Sequence, residues 1–197
     1  MFGKYGLVGS IRLVISYLYT KLRFSKARLI RFPFDIRNRK YIDLGLEMTT
    51  GYGCRIEAFP VKPTNEKILI FGNHIEMNDY VHIAAGEKIT IGNNVLIASK
   101  VFISDINHGQ YGNETPDNPE TIPNKRKLST KPVIIEDNVW LGEGVCIMAG
   151  ITIGKGCIIG ASSVVTKNIP PYSIAIGNPA RVIKQFDSTL QKWIKTS

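Results

Sequence analysis

Aliphatic residues recur along this chain at intervals of six, with mostly polar and small residues between them. Glycine often stands directly after the aliphatic residue, and a second aliphatic or small residue usually follows four positions later. The longest unbroken run is Ile135, Leu141, Ile147, Ile153, Ile159 and Val165, and two shorter runs precede it, Ile91, Ile97 and Ile103, and Phe71, Met77 and Ile83.

A period of six fits neither an α-helix nor a single strand. In a helix, successive members would be rotated by about 240° and scattered around the surface. A ribbon of short strands and turns explains both the aliphatic and the small positions, because stacked coils bury one continuous apolar column. We therefore predict a mainly β fold, a parallel β-helix of hexapeptide repeats with 18 residues in a coil and two residues added near Lys88. The predicted stacked pairs are Ile135 over Ile153, Leu141 over Ile159 and Ile147 over Val165.

Other patterns lie outside the repeat. Apolar residues at steps of three and four predict an N-terminal amphipathic helix. Residues 104–132 are a long inserted loop, and the spacing of the last apolar residues predicts a short C-terminal helix. The predicted organisation is a basic helix and irregular arm (1–60), the β-helix (61–184) and the closing helix (185–197). The N-terminal stripe is Leu7, Ile11, Val14, Leu18 and Leu22, and the C-terminal one is Phe186, Leu190, Trp193 and Ile194.

Charge is concentrated at one end of the chain. The 197 residues include 25 Lys and Arg against 16 Asp and Glu, a formal net charge of +9. Residues 1–40 hold ten basic residues and one acidic residue, which accounts for the whole excess (10 − 1 = 9).

A composition of 44% hydrophobic residues excludes a disordered chain. No apolar run is long enough to predict a membrane span, and three unclustered cysteines are typical of a reducing compartment, so we expect a cytoplasmic protein.

Four segments carry a resemblance to a known family. The sequence over roughly residues 65–184 resembles the left-handed β-helix, hexapeptide-repeat acyltransferases. It is most similar to the sugar O-acetyltransferases, both the maltose/galactoside type and those acting on O-antigen or capsular polysaccharide. The left hand is implied by the resemblance alone. The segments are Asn78 to Ala85 (NDYVHIAA), Ser104 to Gly109 (SDINHG), Val164 to Pro170 (VVTKNIP) and Gly177 to Ala180 (GNPA).

The resemblance implies that an acetyl group passes from acetyl-CoA to a sugar hydroxyl. A hydroxyl becomes a good nucleophile when a base accepts its proton during attack, and neutral imidazole suits that task near pH 7. Of the three histidines, His108 matches the catalytic histidine of the family, whereas His74 and His82 lie within the repeats, where a structural role is expected. No cysteine lies near His108 in the sequence, which favours direct transfer over a covalent intermediate.

The partner that orients His108 is open at this stage. Asp105 either fixes the tautomer of His108 or caps a turn. In maltose-type relatives a glutamate serves the histidine, and its position here is Leu128, which leaves Asp105, Glu114 or a backbone carbonyl for that function. Polysaccharide-type relatives often have a second histidine where this chain has Ile106.

The resemblance also implies binding residues. Asn78 aligns with an asparagine placed against the acceptor hydroxyl, although turn asparagines are common in such repeats; Asp79 and Asn107 are further candidates for acceptor binding. For acetyl-CoA, some residues would line the pantetheine arm and others would meet the phosphates. The alternative for Trp140 is an outward aromatic residue at a subunit contact, and the alternative for the basic residues is a solvated surface. The candidates are Trp140, Gly142, Ala161, Thr166, Lys167, Arg181 and Lys184.

Rival functions make different demands on the sequence. Zinc-binding β-helices need two histidines five residues apart, whereas the intervals here are eight and 26, so we expect no metal. No nucleic-acid-binding motif is present, so we expect no nucleic-acid partner. N-acetylation of a nucleotide-linked amino sugar is the alternative enzymatic activity, and a β-helix scaffold is the non-enzyme alternative.

The resemblance also implies a homotrimer with active sites between subunits. The basic helix packs either on that trimer or on an anionic membrane surface.

Overall fold

A computed structural model of the chain describes residues 2–112 and 115–196. One helix, α1 (Phe2–Arg23), is followed by a parallel β-helix. In chain order the strands are β1 (Phe34–Arg37), β2 (Ile42–Asp43), β3 (Cys54–Ala58), β4 (Leu69–Phe71), β5 (Glu76–Met77), β6 (His82–Ala85), β7 (Ile89–Ile91), β8 (Leu96–Ile97), β9 (Phe102–Ser104), β10 (Ile106–His108), β11 (Leu128–Thr130), β12 (Val133–Ile135), β13 (Trp140–Leu141), β14 (Cys146–Ile147), β15 (Thr152–Ile153), β16 (Ile158–Ile159), β17 (Val164–Val165), β18 (Ser173–Gly177), β19 (Ala180–Asp187) and β20 (Lys192–Lys195). Two 3-10 turns lie at Arg39–Tyr41 and Pro123–Lys125.

Three sheets form the sides of the β-helix, and the chain passes from sheet 1 to sheet 2 to sheet 3 in each coil. Sheet 1 contains β1, β3, β6, β9, β14 and β17, and sheet 2 contains β2, β4, β7, β12 and β15. Sheet 3 contains β5, β8, β13, β16 and β18, to which β19 and β20 are added as antiparallel strands. The strands β10 and β11 form a separate antiparallel hairpin that leaves the coils between sheets 1 and 2.

The inward aliphatic side chains form one core, and their register confirms the predicted stacking. Ile135 pairs with Ile153, Leu141 with Ile159, and Ile147 with Val165. The preceding coil is two residues longer, as predicted, because Phe71 lies over Ile91 (91 − 71 = 20). Each fully buried side chain of this kind contributes about 1.5–3 kcal/mol to folding. The column therefore holds the coils in register.

The β-helix begins earlier than residue 61, so the prediction of an irregular arm between the helix and residue 61 was wrong. The strands β1, β2 and β3 lie on sheets 1 and 2, and Arg55 pairs with His82 in the coil above (82 − 55 = 27). This coil is longer because residues 59–68, which include Pro60 and Pro63, separate β3 from β4. The six-residue period is interrupted there although the stacking continues.

The predicted C-terminal helix is also wrong. Residues 180–187 and 192–195 form an antiparallel hairpin, β19 and β20. Phe186 lies opposite Trp193, with the ring centroids 5.4 Å apart. Two residues seven positions apart lie near each other on a helix, but they also face each other across a tight hairpin. The spacing of these apolar residues therefore does not distinguish a helix from a hairpin.

The N-terminal helix is confirmed, but its apolar stripe points outward. Leu7, Ile11 and Leu18 are 67%, 51% and 56% exposed. The opposite face is buried and carries small polar side chains, among them Ser16 and Thr20. The Thr20 hydroxyl donates to the Ser16 carbonyl (2.6 Å) and accepts from the Ile30 amide (2.8 Å), which joins the helix to the first coil. Within the described residues no helix is both long and apolar enough to span a bilayer.

Candidate active site

The inserted loop is anchored to the β-helix at its base by Asp105. The Asp105 side chain is buried, and its two carboxylate oxygens accept hydrogen bonds from the backbone amides of Gly86 (2.6 Å), Glu87 (2.8 Å) and Lys88 (2.7 Å). Desolvation by burial raises the pKa of Asp105, and these hydrogen bonds oppose that shift. Of the two roles considered for Asp105, the structure shows the turn cap: its carboxylate is directed at residues 86–88, and no hydrogen bond joins it to His108.

His108 stands at the end of β10 with an exposed side chain. Its backbone is held from both sides: His108 pairs with Leu128 across the hairpin, and the Tyr111 hydroxyl donates to its carbonyl. Arg126 then donates to the Tyr111 hydroxyl (2.8 Å), so the chain around His108 is fixed while the imidazole faces outward. No described residue hydrogen-bonds to the imidazole ring, which leaves it accessible to a substrate.

The partners considered for His108 can now be placed. Leu128 lies directly opposite His108, so the position of the relatives' glutamate is adjacent to the base but carries an aliphatic side chain. Ile106 packs on Gly86, where an added Cβ would lie 2.7 Å from its Cγ1. Asn107 is half-buried in β10 and pairs with Ser129. Glu114 lies outside the described residues.

A second group of candidates lies where the chain turns from sheet 3 to sheet 1. We call residues 78–80, 98–100, 142–144 and 160–162 the Asn78 corner, because these turns stack on one another. The Asn78 amide donates to the Ile97 carbonyl (2.8 Å), and the Gly142 amide donates to the Ile159 carbonyl (2.8 Å). Asn78 is exposed, whereas Asp79 directs Oδ1 to the Tyr52 amide (2.8 Å) and so stabilises the adjacent turn.

The candidate acetyl-CoA residues divide between surfaces. Gly142 and Ala161 meet at the Asn78 corner, where a Cβ added to Gly142 would lie 2.6 Å from the Ala161 nitrogen. Trp140, 48% exposed, lies on the outer face of sheet 3 next to this corner. The other candidates lie elsewhere: Arg181 and Lys184 are on β19, and Thr166 and Lys167 follow β17.

The turns from sheet 1 to sheet 2 form a different edge of the β-helix. We call residues 86–88, 104–132, 148–151 and 166–168 the hairpin corner. His108, Thr166 and Lys167 belong to it, whereas Asn78 and Gly142 belong to the Asn78 corner. Sheet 1 separates the two corners. Within one chain the predicted base and the predicted acceptor-binding asparagine are therefore not brought together.

Between the two corners, the outer face of sheet 1 carries a polar cluster that the sequence reasoning missed. Glu57 Oε1 lies 2.9 Å from His82 Nε2, and the Arg55 guanidinium lies against the same ring, with Nη2 2.9 Å from Nε2. Arg37 pairs with Glu57 (3.1 Å). Arg55 and Glu57 alternate along β3, and His82 lies on the adjacent strand β6, where it pairs with Arg55. Because paired residues in these two strands are 27 positions apart, the six-residue period does not reveal the cluster. Tyr80, 62% exposed, lies beside this cluster in a cavity of about 420 Å³.

Other groups that could carry chemistry are not arranged for it. Burial raises the pKa of the Cys54 and Cys157 thiols, which disfavours thiolate formation at both. The three cysteines are free. In the part of the chain that the structure describes, no cluster of three His, Cys, Asp or Glu side chains is placed to hold a metal ion.

Comparison with known proteins assigns this architecture to a family. Residues 132–167 match the family model described as bacterial transferase hexapeptide (six repeats). The chain is 42% identical over 193 residues to WbbJ of Escherichia coli K12, a protein whose description proposes O-acetyl transfer in lipopolysaccharide biosynthesis. That match covers 98% of this chain and 96% of WbbJ.

Two further similarities are informative. The galactoside O-acetyltransferase of Escherichia coli K12 is 34% identical over 155 residues, which cover 79% of this chain and 72% of that enzyme. Among solved structures, a variant of AntD, an N-acyltransferase from Bacillus cereus in complex with dTDP-4-amino-4,6-dideoxyglucose and coenzyme A, is 24% identical with a TM-score of 0.69. The superposition covers 87% of this chain and 91% of AntD. Because the sequences are only 24% identical, this similarity establishes a shared fold and nothing about activity.

The turn-capping role of Asp105 predicts a stability defect. Asp105→Ala leaves three backbone amides without their acceptor and should lower the free energy of unfolding by about 2–5 kcal/mol, measured by chemical denaturation. Because burial raises the folded-state pKa of Asp105, wild-type stability should also fall as pH rises from the unfolded-state pKa through the folded-state value. The variant should lose this dependence.

Asp187→Ala is the matched control, since Asp187 accepts two exposed amide hydrogen bonds, from Thr189 and Leu190. We expect it to cost no more than about 1 kcal/mol. The contrary result would be an Asp105→Ala protein with unchanged stability and a shifted pH dependence of activity. That result would show that Asp105 orients the His108 imidazole and is not a turn cap.

Proposed function

This chain belongs to the left-handed β-helix family of hexapeptide-repeat acetyltransferases, and we propose that it transfers an acetyl group from acetyl-CoA to a hydroxyl of a sugar in a surface polysaccharide, O-antigen or capsule, or in its lipid-linked precursor. The observation that carries this proposal is the similarity to WbbJ over nearly the whole length of both chains. The galactoside O-acetyltransferase supports a hydroxyl acceptor independently.

His108 is the proposed general base. Its imidazole is exposed on a backbone held by Leu128 and Tyr111, so it can reach an acceptor without rearrangement of the hairpin. His108 takes the proton of the sugar hydroxyl as the oxygen attacks the thioester carbonyl, and the thiolate of coenzyme A leaves with a proton returned by the imidazolium. The buried thiols of Cys54 and Cys157 supply no alternative nucleophile.

Acetyl-CoA is the proposed donor, and the Asn78 corner suits its pantetheine arm. Ala98, Gly142 and Ala161 are small, so extended chain and amide groups of a ligand could lie close to the backbone there. Trp140 provides an adjacent apolar surface. The cations proposed for the phosphates are Lys167, Arg181 and Lys184, with Thr166 as a hydroxyl donor.

We propose a homotrimer in which each active site lies between two chains. The Asn78 corner of one subunit would carry the donor and Asn78, and the hairpin corner of its neighbour would supply His108 and Asn107. This arrangement accounts for the separation of the two corners within one chain. Closed symmetry would repeat such a heterologous contact in every subunit.

The polar cluster of sheet 1 is the proposed surface for the sugar. Arg55, Glu57 and His82 present donors and acceptors side by side, and Tyr80 offers an aromatic face, the combination that sugar hydroxyls and ring C–H groups bind. The cytoplasm, at the inner face of a membrane where lipid-linked glycans are exposed, is the proposed location.

N-acylation of a nucleotide-linked amino sugar is the second candidate. The observation that favours it is the structural likeness to AntD, whose crystal contains such a sugar and coenzyme A. An amine acceptor needs the same donor site and the same kind of base. The two reactions differ in the acceptor atom and can be separated by assay.

The role of His108 predicts a large kinetic defect in one variant. His108→Ala should reduce turnover by about 10²–10⁴-fold, because the acceptor hydroxyl loses its base. Binding of acetyl-CoA, measured by calorimetry, should remain close to that of the wild type. His74→Asn is the control: His74 is exposed in a turn with φ +57°, a conformation that asparagine tolerates, and turnover should be unchanged. Equal turnover in the two variants would remove His108 from the mechanism.

The acceptor class predicts the outcome of a paired assay. Acetyl-CoA supplied with a lipid-linked oligosaccharide that has only hydroxyl groups should release free thiol, and the product should gain the mass of one acetyl group as an ester labile to mild base. A dTDP-linked amino sugar should release little thiol. Transfer to the amine alone would reject O-acetylation in favour of the second candidate.

A further inference from the structure

The outward face of α1 is apolar over most of the length of the helix and is bordered by cations. At about 100° per residue, its apolar side chains span an arc of about 120°, with Arg12 and Lys21 just outside the two edges. The buried residues Ser16 and Thr20 lie on the opposite side, which fixes the apolar arc outward. The apolar members, each 46–83% exposed, are Leu7, Val8, Ile11, Val14, Ile15, Leu18 and Leu22.

A basic cleft begins where this face ends. Leu22 is followed by Arg23, the first residue lining a cleft of about 610 Å³ between the end of α1 and the first coils. Five cations line it, and Asp43 is its one acidic residue. No carboxylate lies within salt-bridge distance of any of the five in the described part of the chain. The cations are Arg23, Lys26, Arg39, Lys40 and Lys67.

Two of these cations are held in place by backbone carbonyls. Lys67 Nζ lies 2.7 Å from the Lys40 carbonyl, and Arg39 Nη2 lies 3.2 Å from the Arg23 carbonyl. The Arg39 guanidinium also lies over the Phe24 ring, 4.6 Å from its centroid. Unpaired cations converging on one cleft repel each other, and an anionic group with several acceptor oxygens would relieve that repulsion.

A second groove runs along α1. Leu13, Val14, Tyr17 and Leu29 line a cavity of about 420 Å³, with Arg28 as the one cation in its lining. An apolar groove with a single guanidinium at its wall suits an acyl chain attached to a phosphate. The helix therefore has an apolar face and an apolar groove, both with cationic side chains at their borders.

We propose that α1 and the basic cleft form a docking site for an anionic phospholipid bilayer. The apolar arc lies among the acyl chains at the surface, and the cleft binds lipid phosphates. A second copy of this chain is disfavoured as the occupant, because it would bring another segment with nine excess positive charges against the first. Docking does not need His108 or acetyl-CoA, so it can be tested independently of the proposed reaction.

Vesicle co-sedimentation of the full-length chain tests the docking site. Wild-type protein should bind vesicles of equal parts phosphatidylglycerol and phosphatidylcholine, and not vesicles of phosphatidylcholine alone. In Lys26→Gln/Lys40→Gln each substitution should weaken binding about fivefold. Ile11→Gln/Leu18→Gln should weaken it at least about tenfold through lost apolar burial.

Two control variants carry the same kinds of substitution, Lys→Gln and aliphatic→Gln, outside α1 and the basic cleft. Lys125→Gln/Lys127→Gln removes two exposed cations from the inserted loop, and Ile122→Gln/Leu190→Gln removes two apolar side chains that are 63% and 59% exposed. Both controls should bind vesicles as the wild type does. Sedimentation velocity should show the same oligomer for every variant.

Three outcomes would overturn the proposal. Wild-type protein that fails to bind anionic vesicles has no such docking site. Binding to inorganic pyrophosphate without binding to vesicles would assign the cleft to a soluble phosphate ligand. Loss of the oligomer in Ile11→Gln/Leu18→Gln, with unaltered binding in Lys26→Gln/Lys40→Gln, would assign the apolar arc to a second copy of the chain.

Discussion

The coils of this protein stack because an aliphatic side chain is buried at every sixth residue, with a second buried residue four positions after it. Stacking Ile135 on Ile153 and Leu141 on Ile159 aligns the coils, and each turn from one sheet to the next is then forced to the outside. Functional groups in such a fold occupy mostly the turns and the outward strand positions, because the interior is filled mainly by the apolar column. Which residues become neighbours is set by the 18-residue coil, so residues far apart in sequence share one corner.

This geometry explains why the candidate site is divided. His108 stands on a hairpin that leaves the β-helix between sheets 1 and 2, and Asp105 fixes the base of that hairpin on residues 86–88. Asn78 and Gly142 stack at another edge. A rigid β-helix cannot bend to bring two of its edges together, so a second chain is the simplest way to complete a site. In the proposed site the hairpin sets how far His108 reaches, and the Asp105 carboxylate holds the base of that hairpin through the amides of residues 86–88.

Much of the fold could be predicted from the sequence, because the aliphatic period determines both the strands and their register. The first coils could not, since residues 59–68 lengthen one coil and interrupt the period while the pairing of Arg55 with His82 persists. The C-terminal hairpin was predicted as a helix because Phe186 and Trp193 satisfy either geometry. His108 was recognised from its motif, but the partners of Asp105 lie 17–19 residues before it in another turn. The cluster of sheet 1 likewise depends on contacts between coils, which periodicity alone does not show.

Each active site is proposed to combine His108 of one chain with the Asn78 corner of another. The most direct test is to unfold and refold together equal amounts of two variants of low activity, His108→Ala and Asn78→Ala, and to measure acetyl transfer. If the residues come from different chains, random mixing should restore both groups in about a quarter of the sites of a cyclic oligomer. Activity no greater than the mean of the two variants refolded separately would place both residues of each site in one chain and exclude a site shared between chains.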